Sequence, residues 1–274
     1  MRFALSWIRV SGKISAWGGS GVVCVFFFVV TCCGFAPLPR MSFSRVGAVP
    51  IAVVTNTHTH PAPPPSANVR AALADLGTDY VDLYLIHWPV PGKHVEAYKT
   101  LEKLQREGKI RNIGLSNYAV EDYKELLDSG ISSRPAVNQI EINPFLYRKN
   151  TIDYFRSEGV VLQSYRSLRD GKAMDHPVLS RIGSVHSRSP AQILGRWCVQ
   201  HGFVYTPKSV RVGRMIENAN VFDFELTKGE MEELDGLTTS EALEAFRTLY
   251  RKCVNRDTTK DGTMEGVKMD ITVD

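Results

Sequence analysis

Five runs of apolar and β-prone residues recur along this chain, and polar residues lie at or near the end of each run. The runs are residues 80–89, 110–115, 135–144, 159–164 and 202–206. The segments between them have apolar residues at helical spacing, and they are residues 95–107, 120–127, 151–157 and 190–200. Such a regular alternation of strand and helix predicts βα units around a parallel sheet.

The polar strand ends favour one α/β architecture over another. In a barrel of eight βα units, the chemistry gathers at the carboxyl ends of the parallel strands. An open doubly wound sheet is the weaker alternative, because no Gly-x-Gly-x-x-Gly follows any of the predicted strands. We therefore predict an α/β fold: a (β/α)8 TIM barrel that is incomplete, with its first two to three βα units missing or replaced.

Several short motifs follow one another along the predicted units. They are Leu-Gly-x-Asp-Tyr-Val-Asp-Leu-Tyr-Leu-Ile-His-Trp-Pro at 76–89, Ile-Gly-Leu-Ser-Asn-Tyr at 113–118, Val-Asn-Gln-Ile-Glu at 137–141, Pro-Lys-Ser-Val at 207–210, Arg-Met-Ile-Glu-Asn at 214–218 and Val-Phe-Asp-Phe-Glu-Leu at 221–226. In these motifs, and over residues 69–237 as a whole, the chain resembles the aldo-keto reductase family. The resemblance implies an oxidoreductase that reduces aldehyde or ketone carbonyls to alcohols with NADPH.

The resemblance also implies a cofactor site built from the strand ends. Ser116, Asn117 and Gln139 match the residues that hydrogen-bond the nicotinamide carboxamide, and Tyr165 matches the ring that stacks on the nicotinamide. The other positions that match cofactor-binding residues are Leu168, Lys208, Ser209, Arg214, Glu217 and Asn218. Paired cations and a hydroxyl suit the 2′-phosphate of NADPH, which NADH lacks. Trp88 matches a wall of the pocket for a small carbonyl substrate.

The catalytic machinery matches the family only in part. His87 corresponds to the histidine of the family's catalytic tetrad, which orients the carbonyl. The other three members are an aspartate, a tyrosine and a lysine that belong upstream of residue 80. Residues 1–65 contain no Asp, Glu or Tyr, and their one lysine is Lys13. Residues 51–55 suit a remnant of the third strand, but Asn56, His58 and His60 follow it in place of a lysine.

Two functions therefore stay open at the level of sequence. One is an NADPH-dependent carbonyl reductase that is impaired because the Asp, Tyr and Lys of the tetrad are absent. The alternative is a catalytically inactive nucleotide-binding or interaction protein, either a pseudoenzyme or a mis-assembled gene product. No metal site is predicted, since His58 and His60 stand without further nearby ligands.

The sequence predicts three regions. Residues 1–65 form an apolar, Pro-rich leader outside the family resemblance, residues 66–240 form the barrel portion, and residues 241–274 form a C-terminal helix and a loose tail. Residues 16–38 are apolar enough for membrane contact, so a membrane-anchored protein is the alternative to a cytoplasmic one. A cleaved signal peptide fits less well, because Pro37 would follow the small residues at the cut.

The charge distribution argues against nucleic acid as a partner. The net charge is +4, from 33 basic and 29 acidic residues, and five of the basic residues lie in residues 1–65. Residues 66–274 thus hold 28 basic against 29 acidic residues and carry no basic excess. The expected partner is a small carbonyl compound, and the sequence does not indicate an oligomeric state.

Overall fold

The computed structural model describes residues 23–27, 51–55 and 65–256. Seven strands lie in this part of the chain and form one sheet. They are β1 (Val23–Phe27), β2 (Ile51–Thr55), β3 (Val81–Ile86), β4 (Ile110–Ser116), β5 (Val137–Glu141), β6 (Val161–Tyr165) and β7 (Val204–Tyr205).

Nine α-helices lie in the same described ranges. They are α1 (Pro65–Leu76), α2 (His94–Arg106), α3 (Val120–Asp128), α4 (Lys149–Ser157), α5 (Pro177–His186), α6 (Pro190–Gln200), α7 (Val212–Ala219), α8 (Lys228–Asp235) and α9 (Ser240–Arg256). A short 3-10 helix, Arg169–Gly171, follows β6.

The strands are ordered in the sheet as they are along the chain, from β1 to β7. All neighbours from β2 to β7 are parallel, whereas β1 pairs antiparallel with β2. A helix connects each parallel strand to the next, so each pair forms a βα unit. The carboxyl ends of β2 to β7 consequently lie along one edge of the sheet, where the polar residues predicted from sequence are found.

Burial on both faces explains the near-continuous apolar sequence of the central strands. Five of the six residues of β3 are buried, and all five residues of β5 are buried. Outside the sheet, α2 buries Tyr98, Leu101 and Leu104, the face that its sequence predicts. Burying one side chain of this size stabilises the fold by roughly 1.5–3 kcal/mol relative to leaving it in water.

The predicted strands and helices are confirmed in position, with ends that differ by a few residues. Residues 51–55, which the sequence suggests as a remnant strand, form β2 and pair in parallel with β3. The strand β1 differs from the prediction, because the apolar segment 16–38 is interpreted from sequence as a membrane segment and not as a strand. Its residues Val-Cys-Val-Phe-Phe combine high hydropathy with high β propensity, so a strand and an apolar membrane segment look alike there.

Other expectations lie outside the described residues. These are the membrane contact of most of residues 16–38, the histidines at 58 and 60, and the loose tail beyond residue 256. Within the described ranges, no helix combines the length and the apolar character needed to cross a membrane.

Candidate active site at the strand ends

Asn117 is the residue on which the strand-end site is organised. It follows β4 directly and has a φ of 61°, in the left-handed region that asparagine tolerates better than most residues. This conformation ends β4 and turns the side chain toward neighbouring strand ends. Asn117 is almost completely buried.

The side chain of Asn117 joins three strand ends through hydrogen bonds. Its Nδ2 donates to the backbone oxygen of His87 at 2.9 Å and to Oγ of Ser116 at 3.2 Å. Its Oδ1 accepts a hydrogen bond from the Tyr165 hydroxyl at 2.8 Å. The ends of β3, β4 and β6 are therefore held together by one carboxamide group.

Ser116 and Gln139 extend this network to β5. The Ser116 hydroxyl donates to the backbone oxygen of Gln139 at 2.9 Å, and the backbone nitrogen of Asn117 donates to the same oxygen at 2.9 Å. Gln139 Nε2 donates to Oε1 of Gln163 on β6 at 2.9 Å. Four of the residues predicted to bind the cofactor, Ser116, Asn117, Gln139 and Tyr165, thus lie within one hydrogen-bonded cluster with His87.

His87 and Trp88 follow β3 at the same edge of the sheet. Both side chains are half-buried, and their rings meet edge to face with centroids 5.8 Å apart. The backbone of His87 is fixed by Asn117, as described above. The imidazole and the indole are therefore neighbours beside the hydrogen-bonded cluster, where the sequence predicts a catalytic group and a pocket wall.

Burial dominates the electrostatics around Tyr165. It raises the pKa of the phenol well above its ordinary value of 10.0, and the carboxylate of Glu141 raises it further. Burial also raises the pKa of Glu141, although Arg166 opposes the shift through an ion pair at 2.9 Å. With its raised pKa, the Tyr165 phenol keeps its proton at neutral pH and donates a hydrogen bond to Oδ1 of Asn117.

The end of β7 brings a set of cations to the same edge. Thr206 Oγ1 donates to the backbone oxygen of Ser164 at 2.5 Å and so ties the segment after β7 to β6. Lys208 and Arg214 are exposed, and in the part of the chain that the structure describes neither forms an ion pair. The Ser209 hydroxyl accepts from the backbone nitrogen of Arg211 at 3.1 Å, just before α7 begins.

The remaining predicted residues lie near this segment or after β6. Arg214, Glu217 and Asn218 lie on α7, where Asn218 is buried and Glu217 is close enough to Tyr205 to influence its pKa. Leu168 follows β6 by three residues, precedes the 3-10 helix and packs partly against the core. The structure thus places every predicted residue at the carboxyl ends of the strands or on α7, and their binding roles stay predictions.

Sequence reasoning missed the part that α9 plays in covering this edge. The helix was expected from residue 241, but its contacts were not. Phe246 and Tyr250 pack with Ala119 and Leu146, and Trp88 lies against this group. The two aromatics are four residues apart, which places them on one helix face and is the one signal that the sequence offered.

Comparison with known proteins finds similarity over most of the chain that the structure describes. The model of the Aldo/keto reductase family matches residues 66–239. A glyoxal reductase of Bacillus subtilis (strain 168) is 44% identical over 175 residues, which cover 64% of this chain and 63% of that relative. The uncharacterized oxidoreductase YtbE of the same organism is 43% identical over 171 residues, covering 62% and 61% of the two chains.

A solved structure extends the comparison to the fold. A mutant of Gox0644 in complex with NADPH superposes with a TM-score of 0.62 at 31% identity, covering 65% of this chain and 66% of that one. The partial (β/α)8 architecture is thereby confirmed. The chain spans 61% and 63% of the length of the two curated relatives above, so the match leaves more than a third of each without a counterpart.

Proposed function

The chain belongs to the aldo/keto reductase family, and from this membership we propose that it binds NADPH along its strand ends and reduces small carbonyl compounds slowly. The observation that carries the proposal is the Asn117 cluster, which collects His87, Ser116, Gln139 and Tyr165 at one edge of the sheet. Membership accounts for the fold, and the cluster supplies the groups that a nicotinamide needs.

The chemistry of the cluster fits the nicotinamide end of the cofactor. A carboxamide offers two N–H donors and one carbonyl acceptor, and the hydroxyl and amide groups of Ser116, Asn117 and Gln139 can complement both kinds of group. Tyr165 supplies a half-buried aromatic ring beside them, suited to stacking. These residues would hold and orient the ring, and the buried surroundings would exclude water from one of its faces.

The segment after β7 fits the phosphate end. Lys208 and Arg214 are exposed cations, and in the described part of the chain no carboxylate neutralises them. Ser209 lies between them in sequence, Arg214 belongs to the first turn of α7, and a helix N-terminus favours an anion. A dianionic 2′-phosphate suits this set, which supports NADPH over NADH.

The proton supply sets the expected rate. When bound, NADPH supplies the hydride that reduces a carbonyl carbon. The carbonyl oxygen must then gain a proton, and a positioned general acid contributes typically 10²- to 10⁴-fold to such a step. This chain has no Tyr before Tyr80, so we assign the donor role to the imidazole of His87. Reduction is therefore slow, because the imidazole can donate only in its charged form.

The similarity to glyoxal reductase supports a reactive dicarbonyl as the first substrate to assay. We place this activity in the cytoplasm, where NADPH is available. The membrane-anchored alternative rests on residues 16–38 alone.

A second candidate function is nucleotide binding without catalysis. The absence of Asp, Glu and Tyr from residues 1–65 favours it, since the aspartate and the tyrosine of the family's catalytic tetrad would then have no counterpart, and Lys13 is the only lysine in that segment. The two candidates share the cofactor site and differ only in turnover.

Titration with NADPH and NADH tests the cofactor assignment that both candidates share. Replacing Lys208 by Ala removes one cation from the phosphate site. We expect binding of NADPH to weaken by roughly 1–3 kcal/mol, the scale of a charge-assisted hydrogen bond, and binding of NADH to change little. Quenching of the intrinsic protein fluorescence by each cofactor gives both dissociation constants.

The matched control for this titration is Lys103→Ala, which removes an exposed cation from the last turn of α2. That variant should bind both cofactors as the wild type does. An equal loss of NADPH and NADH affinity in Lys208→Ala would reject Lys208 as a 2′-phosphate ligand.

A further inference from the structure

One face of α9 lies against the strand-end site. Phe246, Tyr250 and Cys253 are spaced by four and three residues, which aligns them along a single stripe of the helix. The first two are buried, and Cys253 is partly buried. The helix therefore presents a continuous contact surface to the carboxyl ends of the strands.

Aromatic contacts attach this stripe to the site. The Tyr250 ring meets the Trp88 ring edge to face with centroids 5.7 Å apart. The guanidinium carbon of Arg148, a buried residue, lies 4.3 Å from the centroid of the Phe246 ring. A desolvated cation on an aromatic face is more strongly attracted than an exposed one, so Arg148 helps to hold α9 in place.

A buried hydrogen bond also joins α9 to α3 beside these aromatic contacts. The Tyr250 hydroxyl donates to Oδ2 of Asp122 at 2.7 Å, across 128 residues of sequence. The same oxygen accepts from the backbone nitrogen of Ala119 at 2.9 Å, at the start of α3. A hydrogen bond to a charged carboxylate is stronger than one between two neutral groups. The Tyr250–Asp122 bond therefore favours one docked position of the helix.

The far end of the stripe reaches the proposed nicotinamide site. Burial and Glu141 are the leading causes of the raised pKa of Tyr165, and Cys253 adds to the shift, so the thiol lies within electrostatic range of the phenol. Beside Tyr165, Asn117 uses both Nδ2 hydrogens within the chain, and its Oδ1 accepts from Tyr165. The cluster thus satisfies its own hydrogen bonds in the structure that has α9 docked.

We propose that α9 is an autoinhibitory latch that closes over the strand-end site and competes with the nicotinamide end of NADPH. The inference rests on the proposed cofactor site. Opening of the latch exposes Trp88 and gives the nicotinamide end of the cofactor access to Tyr165 and Asn117. The apparent dissociation constant then equals that of the open form divided by the open fraction.

Tyr250→Phe tests the latch, because it removes only the hydroxyl that binds Asp122. Loss of this bond should raise the open fraction and lower the dissociation constant for NADPH about tenfold, as expected for a hydrogen bond to a charged group. Labelling of Cys253 by a maleimide, followed in its peptide by mass spectrometry, reports opening without any cofactor. The full chain is used throughout, and Thr248→Ala, an exposed change on the same helix, is the control.

Faster labelling of Cys253 in Tyr250→Phe, and in the wild type with saturating NADPH, supports the latch. Unchanged labelling in Tyr250→Phe, or slower labelling of the wild type with NADPH, overturns it. Unchanged NADPH affinity in Tyr250→Phe, where the wild type binds, also overturns it. Absence of NADPH binding in all variants overturns the proposed cofactor site instead, and faster labelling of Tyr250→Phe in that case still supports a latched helix.

Discussion

At the scale of single residues, Asn117 combines a structural task with the proposed binding task. The motif at 113–118 predicts it as a ligand of the carboxamide, but not as the link between the ends of β3, β4 and β6. That link depends on a left-handed backbone and on strands that are far apart in sequence. Neither can be deduced from the six residues of the motif.

Removal of the Asn117 side chain should therefore destabilise the fold as well as the site. Asn117→Ala loses hydrogen bonds to His87 and Tyr165 and leaves alanine at a positive φ. We expect the free energy of unfolding in urea to fall by about 2–4 kcal/mol. Combined with Tyr165→Phe, the double-mutant cycle should give a coupling energy of about 1 kcal/mol.

The control for this cycle is Tyr98→Phe. It removes a phenol hydrogen bond of similar length, 2.8 Å to the backbone oxygen of Ser133, that shares no partner with Asn117. Its effect should add to that of Asn117→Ala without coupling. If Tyr165→Phe is equally additive, the hydrogen bond between Asn117 and Tyr165 does not stabilise the protein.

The residues that sequence reasoning missed share one property. Phe246 and Tyr250 reach the site only because α9 docks on the strand ends, and these contacts join residues far apart in sequence, such as Tyr250 and Asp122, which are separated by 128 residues. Polar residues directly after a strand, such as His87 and Asn117, are predictable because the strand itself places them at the sheet edge. No comparable local rule locates a helix that docks from elsewhere.

At the scale of elements, hydrophobic periodicity predicts the central strands and helices, but some elements were not predicted. The ten-residue helix α5 is one of them, although its buried residues Leu179 and Ile182 are spaced as on one helix face. The strand β1 lies in a segment apolar on all sides, where periodicity carries no signal.

Gly114 shows how closely β3 and β4 approach. A methyl group at this position would overlap Cδ2 of Leu85 and lie 3.2 Å from both Leu83 Cδ1 and the backbone oxygen of Val137. Leu85 is completely buried and cannot move aside freely. Gly114→Ala should lower the free energy of unfolding by about 1–3 kcal/mol, measured by urea titration.

The comparison for Gly114 is Gly229→Ala on α8, where a methyl group meets nothing within 4 Å. This change should be neutral or slightly stabilising, since alanine favours a helix over glycine. A Gly114→Ala variant as stable as the wild type would mean that the pairing of β3 with β4 is looser than described.

Glu230 links α8 to α5 and gives the fold a pH-dependent contact. Burial raises its pKa, but hydrogen bonds from Thr227 and His186 outweigh it and lower the pKa below the ordinary 4.5. A lowered carboxyl pKa stabilises the fold above the ordinary value, and this stabilisation is lost as the pH falls through the folded-state pKa. Glu230→Gln should cost about 1 kcal/mol at neutral pH.

The stability difference between wild type and Glu230→Gln should shrink as urea titrations move from neutral pH to below 4.5. Glu232→Gln, an exposed neighbour on α8, should change little at any pH. A difference that stays constant on acidification would show that the Glu230 carboxylate does not carry the contact.

At the scale of the whole molecule, β1 and β7 are the two edge strands of the described sheet, and the six strands from β2 to β7 are parallel. The family match covers residues 66–239, and the cofactor-type residues all fall within it. The rate of carbonyl reduction could not be predicted from the sequence, because it depends on which titratable group lies close enough to the substrate oxygen to donate a proton. In our proposal, the chain combines a cofactor site at its strand ends with a catalytic tetrad of which only the histidine, His87, has a counterpart.

Turnover of a dicarbonyl with NADPH, measured against pH for the wild type and His87→Ala, tests this combination most directly. The predicted turnover lies below roughly 1 s⁻¹, rises toward acid pH as the imidazole gains its proton, and is lost in His87→Ala. NADPH affinity should survive in that variant, because Asn117 binds the backbone oxygen of His87 and not its imidazole. Turnover at or above roughly 1 s⁻¹ with a flat pH profile, retained in His87→Ala, would contradict the prediction and require another proton donor.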